Sequence, residues 1–253
     1  MFSSWRDGWY YNNSIKKTIL LYLDINQKTN LIMKKFLLLF LLSAFFVNAQ
    51  SIRVFNVKVN PGDQSSVAQL FEDYHGKGKR KSGSVHLQRV RFLNDVTHRI
   101  LLTGDPSNWG NETERPASEW QAYYRGNRSL RTAGPGSYTA TSLYWKEGDR
   151  DKYHSGQQWL VKVNDPAKYL AAFTKMAKAV GPMIGDRMMG MGAIRMGDLN
   201  GATHYTVFYG EDMNDVEIIT DKIRNTKAFQ EFVKNNGGSE TIVSFGVEDL
   251  LRY

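Results

Sequence analysis

Residues 54–59 read V-F-N-V-K-V, and Phe55, Val57 and Val59 alternate with Asn56 and Lys58, the period of a strand with one apolar face. Asn60-Pro61-Gly62-Asp63 predicts a turn. Ser65 or Ser66 can then cap a helix in which Val67, Leu70, Phe71 and Tyr74 recur at helical spacing. Strands are predicted over 84–92 and 97–103, a hairpin about Asn94-Asp95. A helix is predicted over 117–130, with Trp120, Tyr123 and Tyr124 close to one face, which at this spacing reads as core. Gly134-Pro135-Gly136 stops it. A fourth strand, over 138–145, sets Thr139 and Thr141 among aromatics. The order is strand, helix, strand, strand, helix, strand.

The plan then restarts. The charged, glycine-bounded stretch 148–156 reads as a junction. Beyond it, W-L-V-K-V-N-D-P at 159–166 answers V-K-V-N-P at 57–61 with one residue inserted. Tyr169, Leu170, Phe173, Met176 and Ala177 repeat the helical stripe. Strands are predicted over 190–196, 203–209 and 241–247, and a helical region over 215–234 ends at an Asn/Gly stop. The sharpest echo is gapless: Thr97-His98 with Gly104-Asp105 returns 106 positions later as Thr203-His204 with Gly210-Glu211. Two repeats are therefore predicted, 50–153 and 154–253, each a split βαββαβ unit of ferredoxin-like pattern. One such unit leaves a sheet face bare of helices, and two can hide those faces against each other. The predicted fold class is α+β, two tandem ferredoxin-like units packed sheet to sheet as a pseudo-dimeric α/β barrel.

With that element order and the repeated strings V-K-V-N-(D)-P and T-H-x5-G-[D/E], most of residues 52–253 resembles the dimeric α/β-barrel superfamily written as one polypeptide. That superfamily includes antibiotic-biosynthesis-type monooxygenases, haem-degrading oxygenases, chlorite dismutases and small stress or binding proteins. The resemblance implies the fold and leaves an oxygenase- or isomerase-like activity as one expectation. Neither string is a catalytic signature of the superfamily, so no site residues carry over.

The first 49 residues change the picture of charge. Met33-Lys34-Lys35, the apolar run 36–47 and the small residues Val47 and Ala49 have the order of a secretory signal cut after Ala49. Residues 33–49 are expected to be that signal, and the aromatic, polar segment 1–32 to lie upstream of the true start at Met33. The apolar run is short for a bilayer span, which needs ~20 residues. Contact with a membrane is therefore expected only through an uncleaved signal. The expected location is secreted or periplasmic. The whole chain has a formal charge of +8, but residues 1–49 hold six of its 33 Lys/Arg and two of its 25 Asp/Glu. What remains, 27 against 23, is +4, an ordinary solubility charge that gives no nucleic-acid footprint. The chain has no cysteine. Disulfides, thiol catalysis and thiolate metal sites are excluded.

Three sets of residues can carry chemistry. His98 and His204, equivalent in the repeats, can ligate a metal or move protons near neutral pH. Strand parity sets His98 beside Ile100 and Leu102 on the helix-covered face, which favours a structural histidine. A haem reading would need an axial ligand in an apolar pocket. Lys58 and Lys162 lie by parity opposite the apolar strand faces, where Arg99, Tyr205 and Tyr209 can join them. Convergent polar groups in an apolar hollow suit a small anionic or carbonyl-bearing ligand held between the sheets. The alternative is a polar seam or a solvated rim. Met188, Met189 and Met191 form a string whose thioethers could take a soft metal, though methionine more often fills core gaps. The sequence names no cofactor. The expected function is small-molecule binding; the alternatives are an enzyme of the superfamily, based on His98 or His204, and a protein-contact module of the cell envelope.

Overall fold

The computed structural model describes residues 50–253. The expected signal and the segment before it lie outside the described residues. The first half runs β1 (Ser51–Val59), α1 (Gln64–His75), β2 (Ser84–Arg91), β3 (His98–Gly104), α2 (Ala117–Leu130), a short β4 (Arg131–Ala133) and β5 (Tyr138–Lys146). The second runs β6 (Ser155–Val163), α3 (Pro166–Ile184), β7 (Met189–Met196), β8 (His204–Gly210), α4 (Met213–Arg224), α5 (Lys227–Asn235) and β9 (Ser239–Arg252).

All strand pairs are antiparallel, and eight strands close a ring in the order β1-β3-β2-β9-β6-β8-β7-β5, returning to β1. β4 adds only three residues beside the end of β1. The halves are joined by hydrogen bonds as well as by packing. β2 pairs with β9 and β5 with β7, so each second strand of one half meets the fourth strand of the other. Closure leaves none of the eight ring strands with a free edge. At one rim Tyr253 and Val85 exchange both backbone bonds, while Ser51 faces Gly104.

Side-chain alternation divides the core into three parts. Val54, Leu101, Tyr138, Leu160, Tyr205, Val207, Tyr209, Phe245 and Val247 fill the barrel. Outside it, Val57, Val85 and Leu87 meet Val67 and Phe71 of α1. On the other side Val161, Val163, Met189, Met191 and Phe208 meet α3 and α4. Each large side chain so buried contributes ~1.5–3 kcal/mol, and a chain without disulfides depends on these layers.

The helices of the second half carry clear end signals. Asp165, Asp212 and Thr226 each accept a backbone N–H from inside their helices, and Pro166 opens α3. The helical region expected over 215–234 consists of two helices, because the chain breaks at Asn225 and Thr226 caps afresh. On α2 only Tyr123 of the aromatic stripe is buried, while Trp120 and Tyr124 are exposed. The expected aromatic core face is therefore largely a surface, with Tyr74 stacked on Tyr123.

Candidate functional site

Inside the barrel, alternation on β3 turns Arg99 inward and His98 outward. Arg99 is 2% exposed. Its Nε donates to Gln88 Oε1 (2.5 Å) and its Nη1 to Gln158 Oε1 (2.6 Å). Gln158 Nε2 donates to the Tyr138 hydroxyl (2.7 Å), and Gln88 Nε2 donates to Asp249 Oδ1 (2.5 Å) and to the Tyr209 hydroxyl (3.3 Å). His86 Nδ1 lies 3.2 Å from Asp249 Oδ1. Burial alone would raise the Asp249 carboxyl, but the bonds from His86 and Gln88, with Arg150 nearby, hold it below the usual range. Burial pushes the hydroxyls of Tyr138, Tyr205 and Tyr209 up, so all three stay protonated. The free space at this polar end is about 50 Å³, enough for a few water-sized groups.

Arg99, Tyr205 and Tyr209 therefore do converge, but the two lysines do not join them. Lys58 has the inward parity expected of it, yet it lies where β1 runs beyond the barrel body. Its side chain is 55% exposed and its Nζ pairs with Asp95 (2.8 Å). Lys162 is likewise exposed near the end of β6. The expected pair of interior lysines is thus corrected to two rim residues, since solvating an ammonium at the rim avoids burying it.

The two histidines, 3% and 4% exposed, face the helices. Thr97 Oγ1 accepts the Val59 N–H (2.8 Å) and lies 3.0 Å from His98 Nδ1. Thr203 Oγ1 accepts the Val163 N–H (3.0 Å) and lies 2.9 Å from His204 Nδ1. The repeated threonine thus pins the first strand of each half to the third and lies within hydrogen-bond reach of the imidazole, the Thr203 hydroxyl also reaching the Val161 carbonyl (3.5 Å). Burial lowers both imidazole pKa values, with Arg89 adding to the effect at His98. Neither histidine opens beside Arg99, which projects from the opposite face of β3.

The methionine string does not converge either. Met188 packs inside the barrel, while Met189 and Met191 pack outward. The intervening glycines explain the string. A Cβ on Gly190 would come within 2.6 Å of the Trp145 ring, and one on Gly192 within 2.7 Å of the Tyr205 ring and hydroxyl. Glycine inward makes room for two aromatic side chains, and methionine outward fills the layer beneath α3.

That outer layer holds a larger space, which the sequence reading missed. Between the second-half sheet and α3, α4 and α5 lies a cavity of about 530 Å³, within the range of small-molecule sites. Its wall is aromatic and aliphatic, with Trp159, Phe173, Phe208, Phe229 and Phe232 prominent. Arg224, Asn236, Ser239 and Thr241 supply polar groups. α5 covers it without burying a single residue of its own. The wall has no histidine, cysteine or carboxylate. Burial pushes the Tyr169 phenol up to about 12, so it stays a neutral hydroxyl. A haem held by an imidazole or thiolate does not fit this donor set. His204, 6.1 Å between ring centroids from Tyr169, has its Nδ1 taken up by Thr203.

No protein-family profile matches the chain, and no curated protein matches it in sequence. Solved structures do. A candidate monooxygenase from Lactobacillus acidophilus NCFM is 10% identical with a TM-score of 0.53, over 81% of this chain and 94% of that one. A candidate monooxygenase from Fusobacterium nucleatum subsp. nucleatum ATCC 25586 is 13% identical with a TM-score of 0.53, over 81% and 94%. A candidate chlorite dismutase is 11% identical with a TM-score of 0.50, over 81% and 95%. Identity this low speaks to fold and not to chemistry. Since 81% of the chain exceeds either half, each match takes in both. The chain has the dimeric α/β-barrel fold, with both halves of the barrel in one polypeptide.

Proposed function

We propose that this chain is a small-molecule-binding protein whose site is the cavity beneath α5. The occupant is a flat, mostly apolar organic molecule with a polar or anionic edge turned toward Arg224, Asn236 and Ser239. The observation that carries the reading is a roomy apolar space walled by aromatic rings and covered by a lightly anchored helix. For a molecule of that size this cavity is preferred to the expected place between the two sheets, where the polar end offers only about 50 Å³. Binding is favoured over catalysis because the wall lacks a group that exchanges protons near neutral pH. The neighbours described as monooxygenases and a chlorite dismutase keep an enzyme reading in view, but His98 and His204 give it no base facing a cavity. The lysine-led apolar run before Ala49 supports export as the setting.

The test is binding of an apolar fluorescent probe, 8-anilinonaphthalene-1-sulfonate, to the folded chain, with native mass spectrometry and an absorption spectrum of the protein as purified. Saturable binding at one site is expected, with no haem Soret band. Met176→Trp, which adds a ring inside the cavity, is expected to weaken the probe at least ~10-fold while the unfolding midpoint is kept. Unchanged probe affinity in that variant would refute the site.

A further inference from the structure

The polar end of the barrel interior is a second, separate place, where buried donors outnumber their protein acceptors. Arg99 is buried, yet its two hydrogen-bond acceptors are neutral glutamine oxygens, and no carboxylate pairs with it among the described residues. Its other neighbours are the neutral Tyr138 hydroxyl and the Phe245 ring, 5.6 Å from its Cζ. A second guanidinium, Arg150, lines the same cavity and lies over the Trp145 ring at 5.0 Å. The carboxylate at this end, Asp249, is taken up by His86 and Gln88. Asp249 reaches the buried Arg99 only through Gln88, and Arg150, at the mouth of the cavity, adds a second positive charge that no carboxylate pairs among the described residues.

The hydrogen-bond inventory points the same way. Trp145 Nε1 is buried with no partner, and the buried Tyr205 hydroxyl makes no well-formed hydrogen bond, with only the Ser142 side chain beside it. Both residues line the cavity, and Tyr205 is 4% exposed. Indole nitrogen is a donor only, and a phenol kept protonated by burial has a hydrogen to give. A donor without a partner, a second held only by Ser142, and two guanidiniums surround about 50 Å³ of free space, a donor set suited to a small acceptor with a single negative charge. The size excludes a bulky ligand.

We propose that this cavity binds a compact monovalent anion, a halide or a planar oxyanion of the size of formate or nitrate. The ion would accept from Tyr205, Trp145 and the guanidiniums of Arg99 and Arg150. Arg150, which is partly exposed, connects the site to solvent. The ion completes the charge balance across the seam that joins β5 to β7, so binding stabilises the closed barrel.

The test is thermal unfolding of the full folded chain in sodium bromide or sodium formate, against sodium gluconate at equal ionic strength, gluconate being too large to enter. A saturable rise in the midpoint that fits one site is expected. Tyr205→Phe removes a hydroxyl whose one protein neighbour for hydrogen bonding is the Ser142 side chain, so the variant is expected to fold, and its half-saturating concentration should rise about 5-fold. Arg150→Gln should raise it further, whereas Met176→Trp at the other cavity should leave it unchanged. The proposal is overturned if bromide and gluconate give the same midpoint. It is overturned equally if Tyr205→Phe and Arg150→Gln respond as the parent chain does, since the ion would then be acting on surface charge. A response lost only in Met176→Trp would assign the ion to the apolar cavity instead.

Discussion

At the scale of single residues, alternation told which way a side chain points but not how deep it sits. It placed Arg99 and His98 on opposite faces of β3, and it put Tyr205 and Tyr209 inward. It failed for Lys58 and Lys162, which share the inward parity of Val54 and Leu160 but lie past the end of the packed barrel. Parity has no term for distance along the barrel axis, and an ammonium group takes the solvated end when one is in reach. His75 makes a sharper point about environment. Burial among Phe71, Tyr74 and Tyr123, with Arg80 and Arg115 nearby, lowers its pKa from 6.5 to about 4. The unfolded chain thus takes up a proton near pH 6.5 that the folded chain refuses until about pH 4. This contribution to stability is whole above pH 6.5 and drains away as the pH falls toward 4. His98 and His204 shift in the same direction. Between pH 7 and about pH 4.5 His75 should account for a loss of about 2–3 kcal/mol. Denaturant unfolding of His75→Gln is expected to show a shallower fall over that range, and an unchanged slope would count against the account.

At the scale of elements, most of the order was legible because each strand and helix has its own period and its own stop. What could not be read was the break between α4 and α5. Ile218, Ile219, Ile223, Phe229 and Phe232 read as one stripe, and only the capping bond from Phe229 N–H to Thr226 Oγ1 (3.1 Å) shows a second helix starting. The cavity went unread for the same reason: an aromatic residue on a helix face looks like core whether or not its ring meets another. α5 is held by that cap, by Lys175–Glu231 (2.8 Å), and by Phe229 and Phe232 against the rim of the core. Thr226→Ala should destabilise the helix by about 1 kcal/mol. Faster amide exchange confined to 227–235 and weaker probe binding are expected, with the barrel strands unaffected. Exchange that quickens across the whole second half would show that α5 is part of the core and not a cover.

At the scale of the molecule, the duplication was visible in the echo of Thr-His and Gly-acid, but the way the halves meet was not. Stacked faces follow from burying apolar surface. The β2–β9 and β5–β7 seams depend on which edges are left over, and no residue pattern records that. The symmetry of the seams carries its own expectation. Each joins the second strand of one unit to the fourth of the other, so two copies of the second unit could meet as the two halves do. A chain of residues 154–253 should therefore dimerise through β7 and β9, hiding Tyr205, Val207 and Phe245 again. Size-exclusion chromatography with light scattering checks this, and a stable folded monomer would contradict it.

The exchange of bonds between Tyr253 and Val85, with Ser51 opposite Gly104, sets the outer ends of β1 and β9 on one rim with only β3 and β2 between them. At the usual spacing of paired strands that gap is about 15 Å, a distance that a handful of flexible residues spans. The order in which the strands are threaded is thus separable from the ring they form. Cutting the chain in the loop after β5 and splicing the two rim ends together would place the second unit ahead of the first, with every neighbour around the ring kept.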